Sequence, residues 1–134
     1  MAYEIYEKSG FRVEEPALTI RGGKLHLNVA MVRVFVEAGV RSVLLLWDKA
    51  SNKVALKATS KSDKNAYSVS IAPDRHSGSL AVKSFLRYIG WSTPKRVLVP
   101  ATWNEKERMF EVTLPPEHVG VKSGYNKRKK YEDA

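Results

Sequence analysis

The chain has 134 residues and carries 23 Lys and Arg against 14 Asp and Glu, which leaves a formal net charge of +9. This length fits one ordinary domain, or two small subdomains that share a core, and excludes a multidomain protein. A hydrophobic fraction of 43% with 3 Trp, 6 Tyr and 4 Phe excludes disorder for everything but the ends. The absence of cysteine excludes disulfides, thiolate catalysis and cysteine-based metal sites.

The first half of the chain is predicted to form two strands, a helix and a β-hairpin. The predicted elements are strands over Ala17–Ile20 and Lys24–Leu27, a helix over Val29–Ala38 capped by Asn28 and ended by Gly39, and hairpin strands over Val43–Trp47 and Val54–Ala58. Only Arg33 and Glu37 in the helix are strongly polar, so most of its circumference should be covered. The continuous apolar run at 43–47 predicts a strand buried on both faces.

The second half follows a polar linker over residues 59–66 and shows the same order of elements. We expect a strand over Tyr67–Ile71, a helix entered at Ser79–Ala81 that runs to Ile89 and is ended by Gly90, a strand over Val97–Val99, and a hairpin strand over Met109–Leu114 headed by Trp103 and Asn104. Pro100 cannot donate to a ladder, which predicts an edge strand or a bulge there.

The two halves therefore share the order β-β-α-β-β, with a period of about 50–56 residues that favours an internal repeat over chance similarity. We predict a mainly β, α+β fold in which two tandem βαββ repeats form one swapped-hairpin-like barrel. The expected organisation is a lead-in over 1–16, a single domain over 17–118 with repeats at 17–58 and 67–115, and a basic flexible tail over 119–134.

Each repeat resembles the AbrB/SpoVT-like (MazE-type) domain. The segments that carry the likeness are Gly23–Leu27, the helix up to Gly39 and Val43–Leu56 in the first copy, and Gly78–Val82, the helix up to Gly90 and Val97–Val112 in the second. The resemblance implies a swapped-hairpin barrel that normally forms from two chains and binds DNA through an arginine-rich face. It also implies that basic residues in the loop before each helix contact the DNA.

Basic residues recur in the loop before each predicted helix. Residues 17–120 hold 16 of the bases and eight of the acids, so the predicted domain is itself basic and should attract polyanions. The candidate nucleic-acid-binding residues are Arg21 and Lys24 in the first loop, Arg75 and His76 in the second, Lys61 and Lys64 in the linker, and Lys127, Arg128, Lys129 and Lys130 in the tail. If the repeats are related by a two-fold axis, both loops should lie on one surface.

No arrangement of residues indicates catalysis, a cofactor or a metal. The segment Arg21-Gly22-Gly23-Lys24 lacks a nucleotide-binding pattern, and His26, His76 and His118 have no metal-ligand spacing. We expect Trp47 and Trp103 to pack their hairpins, and Trp91 to be more exposed.

The sequence favours a non-enzymatic nucleic-acid-binding protein, foremost a double-stranded DNA-binding transcriptional regulator or architectural protein. One alternative is a protein-interaction module, antidote-type or dimerising, that uses the 29–38 helix and the 43–47 strand; a homodimer is then possible. Another is an RNA or single-strand binder. No apolar run approaches the roughly 18 residues of a membrane span, and residues 1–16 lack signal-peptide features, so we expect a cytoplasmic protein without a membrane partner.

Overall fold

The computed structural model describes Tyr3, residues 15–93 and residues 95–120. Most of the lead-in and most of the tail, including Lys127, Arg128, Lys129 and Lys130, lie outside the described residues. The described elements are β1 (Ala17–Arg21), β2 (Lys24–Leu27), α1 (Val29–Ala38), β3 (Ser42–Asp48), β4 (Lys53–Ala58), β5 (Tyr67–Ser68), β6 (Ser70–Ile71), β7 (Gly78–Ala81), α2 (Lys83–Ile89), β8 (Val97–Pro100), β9 (Thr102–Asn104), β10 (Met109–Thr113) and a 3₁₀ turn (Pro116–His118).

The strands form two antiparallel five-stranded sheets. Sheet A has the order β6-β7-β2-β1-β8, and sheet B has the order β5-β3-β4-β10-β9. The expectation of a mainly β protein with two helices is therefore confirmed. The described strands do not close into the expected barrel, because each sheet keeps two edge strands.

In each sheet the central strand comes from the first half of the chain and pairs with a strand from the second half. In sheet A the central strand β2 is antiparallel to β7, with Leu25 directly opposite Leu80. In sheet B the central strand β4 is antiparallel to β10, with Ala55 opposite Glu111. Leu25 and Leu80 are also equivalent positions in the sequence alignment of the halves, so the two halves occupy matching places about an approximate two-fold centre.

The core lies between the inner faces of the two sheets, and the helices help to close it. Alternate residues of each strand point inward, so Leu18 and Leu25 of sheet A are buried while Thr19 and His26 point to the outer face. Around one small void, residues of both sheets meet the inner side of α2; the lining residues are Leu18, Ile20, Leu25, Val54, Phe85, Leu86, Val112 and Leu114.

Helix α1 has the predicted bounds, and its local signals explain them. The Asn28 side chain accepts a hydrogen bond from the Met31 N–H, and Gly39 ends the helix in the left-handed conformation with φ 70°. Phe35 is fully buried and packs edge-to-face against Phe110, with ring centroids 5.2 Å apart. The exposed side chains of α1 are Arg33 and Glu37, as expected.

The predicted start of the second helix is wrong. Residues 78–81 form β7, and α2 begins only at Lys83. Ser79 and Leu80 pair with His26 and Leu25 of β2, so the ladder between the halves overrides the local helical pattern.

Two strand predictions also need correction. The 43–47 strand is not buried on both faces: Val43 is fully buried but Leu46 is 40% exposed, because side chains alternate along the strand and Leu46 points to the face opposite Val43. The 67–71 strand is interrupted at Val69, whose N–H donates to the Arg41 carbonyl, and the flanking pairs join different sheets. Pro100, as predicted, lies on an edge strand, since β8 ends sheet A.

Candidate nucleic-acid interface

A two-residue turn places two cations at one end of sheet A. Arg21 ends β1, Lys24 begins β2, and the two residues are directly opposite each other across the Gly22-Gly23 turn. Their neighbours Ile20 and Leu25 point into the core, so Arg21 and Lys24 point to the outer face, where both are exposed.

The same turn is bound to the start of α2. The Val82 N–H donates to the Gly23 carbonyl at 2.9 Å. The Lys83 Cβ lies only 3.3 Å from the position that a Cβ on Gly23 would take. Lys83 is exposed, and Arg87 follows it one helical turn later on the same exposed stripe.

The chain leading into β8 adds two further cations to this end of the sheet. Val97, the first residue of β8, pairs with Ile20, which directly precedes Arg21. Lys95 and Arg96 therefore lie at the Arg21 end of sheet A, and both are exposed. We call the resulting group the basic surface; its members are Arg21, Lys24, Lys83, Arg87, Lys95 and Arg96.

Among the described residues, no acid lies in the elements that carry the basic surface. The strands of sheet A and helix α2 contain no Asp or Glu. Within residues 15–93 and 95–120, Lys57 pairs with Glu107 at 3.3 Å, and His76 lies 3.8 Å from Asp74; neither contact includes a member of the basic surface. Exposed, unpaired cations of one sign create a positive potential that attracts polyanions.

The second candidate loop lies at the opposite end of sheet A. Because β2 and β7 are antiparallel, Lys24 is opposite Ala81, whereas Gly78, which follows the 72–77 loop, is opposite Leu27. Arg75 and His76 are exposed in that loop beside Asp74. We expected the two loops to lie on one surface. The structure instead separates them by the length of strands β2 and β7.

The linker lysines lie in a loop that joins the two halves on the sheet B side. Lys61 and Lys64 are exposed, and the loop is organised by Asp63, which accepts hydrogen bonds from the Thr59 hydroxyl at 3.1 Å and from the Asn65 N–H at 2.9 Å. Lys64 also lines a groove beside β3 together with Tyr67. The ladders do not bring either lysine to the Arg21 end of sheet A.

The tryptophans pack as predicted for the two hairpins, and a different aromatic residue is exposed. Trp47 packs edge-to-face on Phe85, and Trp103 packs on Phe110. Trp91 packs against His118 and is half-buried like the other two, so it is not the more exposed one. Tyr88 instead is 77% exposed.

Sequence reasoning identified Arg21 and Lys24 but missed the other four members of the basic surface. Lys83 and Arg87 are separated by four residues on the outer side of a helix, a spacing visible in the sequence. Lys95 and Arg96 give no such signal, because only the pairing of β8 with β1 brings them to this surface.

No protein-family model matches the chain, and neither the curated proteins nor the solved structures provide a significant match. In the part of the chain that the structure describes, neither helix is long and apolar enough to cross a membrane. The same residues contain no group of three or more metal-ligating side chains that could hold an ion.

Proposed function

We propose that the protein binds nucleic acid through the phosphate backbone, with the basic surface as the contact region. The observation that carries the proposal is the placement of four exposed cations at one end of a sheet whose strands contain no acid, with two more on the helix that begins beside its Gly22-Gly23 turn. Lysine and arginine side chains at such a surface contact phosphates and so release the counterions condensed on the nucleic acid. This release supplies affinity that does not depend on the base sequence.

The role as a double-stranded DNA-binding transcriptional regulator or architectural protein and the likeness to the AbrB/SpoVT-like domain stay predictions from the sequence, and the phosphate contacts proposed here do not depend on them. The interaction-module alternative has less support at α1, because Met31, Val32 and Phe35 are fully buried in the protein's own core. A helix face that is already packed has no apolar surface left for a partner.

The test is a titration of labelled nucleic acid over a series of salt concentrations. Replacing Arg21 and Lys24 together by Gln removes two charges from exposed positions, so binding should weaken and the salt slope should fall by about 2. Fluorescence anisotropy with duplex DNA, single-stranded DNA and RNA of one sequence measures both quantities.

Arg75→Gln is the matched control, since Arg75 is an equally exposed cation at the opposite end of the same sheet. It should leave affinity and salt slope close to those of the native protein. If the native protein shows no salt-dependent binding, or if the double variant binds as well as the control, the proposal is wrong.

A further inference from the structure

We propose that the nucleic acid bound at the basic surface is single-stranded, with one base stacked on the ring of Tyr88. This inference rests on the proposed function and adds the class of ligand to it. Its basis is an exposed aromatic ring on the same exposed side of a helix as two cations of the basic surface.

Helix α2 has two distinct sides. The inner side packs on the core through Leu86 and Ile89, which are 6% and 5% exposed. The outer side carries, in order along the helix, Lys83, Ser84, Arg87 and Tyr88, all exposed. Lys83 and Arg87 are four residues apart and form one row on the helix surface, and Tyr88 lies with Ser84 in the adjacent row. The Tyr88 ring and the two cations therefore share the exposed side of α2.

Most of the Tyr88 side chain lies in solvent. It is 77% exposed, and none of the aromatic pairs in the described part of the chain includes it. Phe85 on the same helix, by contrast, packs edge-to-face on Trp47. A solvent-exposed aromatic ring beside cations can serve as a stacking platform. A base stacks on the ring while the neighbouring phosphates contact the cations.

A single strand fits this arrangement better than a duplex does. In a duplex the base faces are covered by stacking, so an exposed ring can reach only the backbone or the groove edges. Direct readout of the major groove requires a helix or a β-ribbon that enters it. Here α1 exposes only Arg33 and Glu37, and α2 has only 7 residues. An unpaired base in a single strand is free to leave its neighbours and stack on Tyr88.

The test compares three ligands of one sequence: a single-stranded DNA, the corresponding RNA and a duplex DNA. Tyr88→Ala should weaken binding of the single strands about tenfold, within the range of base–aromatic stacking, and should change duplex binding less than about twofold. Tyr88→Phe and Tyr88→Trp retain a flat aromatic face and should keep the native affinity. The two single-stranded ligands show whether the ribose hydroxyl contributes.

The salt series separates stacking from charge. Stacking releases no counterions, so Tyr88→Ala should lower affinity at every salt concentration without changing the slope, whereas Arg87→Gln should reduce the slope by about 1. Leu46→Ala is the matched control, because it removes another exposed apolar side chain, which lies on sheet B and is not part of the basic surface. The control should bind like the native protein.

The inference is overturned if Tyr88→Ala binds single strands as the native protein does, or if it weakens duplex binding to the same extent. Either result leaves the proposed function intact as long as the Arg21 and Lys24 double variant still loses affinity. Circular dichroism of Tyr88→Ala should match the native protein, because an exposed side chain is being shortened.

Discussion

At the scale of single residues, Asn28 connects more of the fold than its role as a helix cap suggests. Its side-chain oxygen accepts from the Met31 N–H at 3.0 Å and from the Ala17 N–H at 3.2 Å, and its side-chain nitrogen donates to the Glu15 carbonyl at 2.9 Å. One amide group therefore holds the first turn of α1 and the start of β1 together.

We expect Asn28→Ala to lower the free energy of unfolding by about 2 kcal/mol, more than the roughly 1 kcal/mol typical of a lost cap, because three hydrogen bonds are removed together. Asn28→Asp keeps both accepted hydrogen bonds and loses only the donated one, so its free energy of unfolding should fall by less. Urea unfolding of the two variants measures the difference. Equal losses in both would show that the accepted bonds do not contribute.

At the scale of elements, the end of α2 is closed by a segment from far along the chain. The Gly120 N–H donates to the Ile89 carbonyl at 3.1 Å, and the Ser92 N–H donates to the His118 carbonyl at 3.0 Å. Gly90, which ends α2, lies so close to this segment that an added Cβ would stand 2.7 Å from the Gly120 Cα. Because the atom met by this Cβ belongs to the backbone, rotating a side chain cannot relieve the contact.

Gly90→Ala should therefore destabilise the protein more than Gly39→Ala. Both glycines end a helix in the left-handed conformation, with φ 77° and 70°, but nothing lies within 4 Å of a Cβ added at Gly39. Gly39→Ala should lower the free energy of unfolding by about 1 kcal/mol, because alanine is strained in the left-handed conformation. Gly90→Ala should lower it by about 1–3 kcal/mol more, because the backbone of residue 120 must also be displaced. The midpoints of urea unfolding rank the two, and equal midpoints would contradict this close approach of residue 120.

At the scale of the whole molecule, charge is distributed unevenly between the two sheets. The members of the basic surface share one end of sheet A and helix α2, while sheet B holds Asp48 and Glu111 in its strands. Like charges that are close together and unpaired repel each other in the folded state more than in an unfolded chain. The feature proposed to bind nucleic acid should therefore reduce the stability of the free protein.

The free energy of unfolding should consequently rise as NaCl is increased from about 20 to about 200 mM, because salt screens exposed charges over this range. The Arg21→Gln, Lys24→Gln double variant should show a weaker dependence on salt, since two of the repelling charges are gone. Urea titrations at several salt concentrations test both statements. A stability that falls with added salt would show that attractive ion pairs dominate instead.

Where local signals and tertiary contacts agree, the sequence predicts the elements closely. Strand β2 and helix α1 have the predicted bounds, because Asn28 and Gly39 mark the helix ends and the burial of α1 matches its apolar stripe. Strand β7 was missed because the segment around Leu80 has a helical pattern and becomes a strand only by pairing with β2. The hydrophobic pattern within one segment does not specify which strand that segment will pair with.

The amino-acid sequence by itself determined the basic character of the chain, the order of the elements in its first half and the β1–β2 turn with its two cations. The tertiary structure decided which cations share a surface. The antiparallel pairing of β2 with β7 sends Arg75 to the far end of sheet A, and the pairing of β8 with β1 brings Arg96 to the near end. Local sequence specifies turns and caps through contacts a few residues apart, whereas strand partners are selected by burial across the whole core.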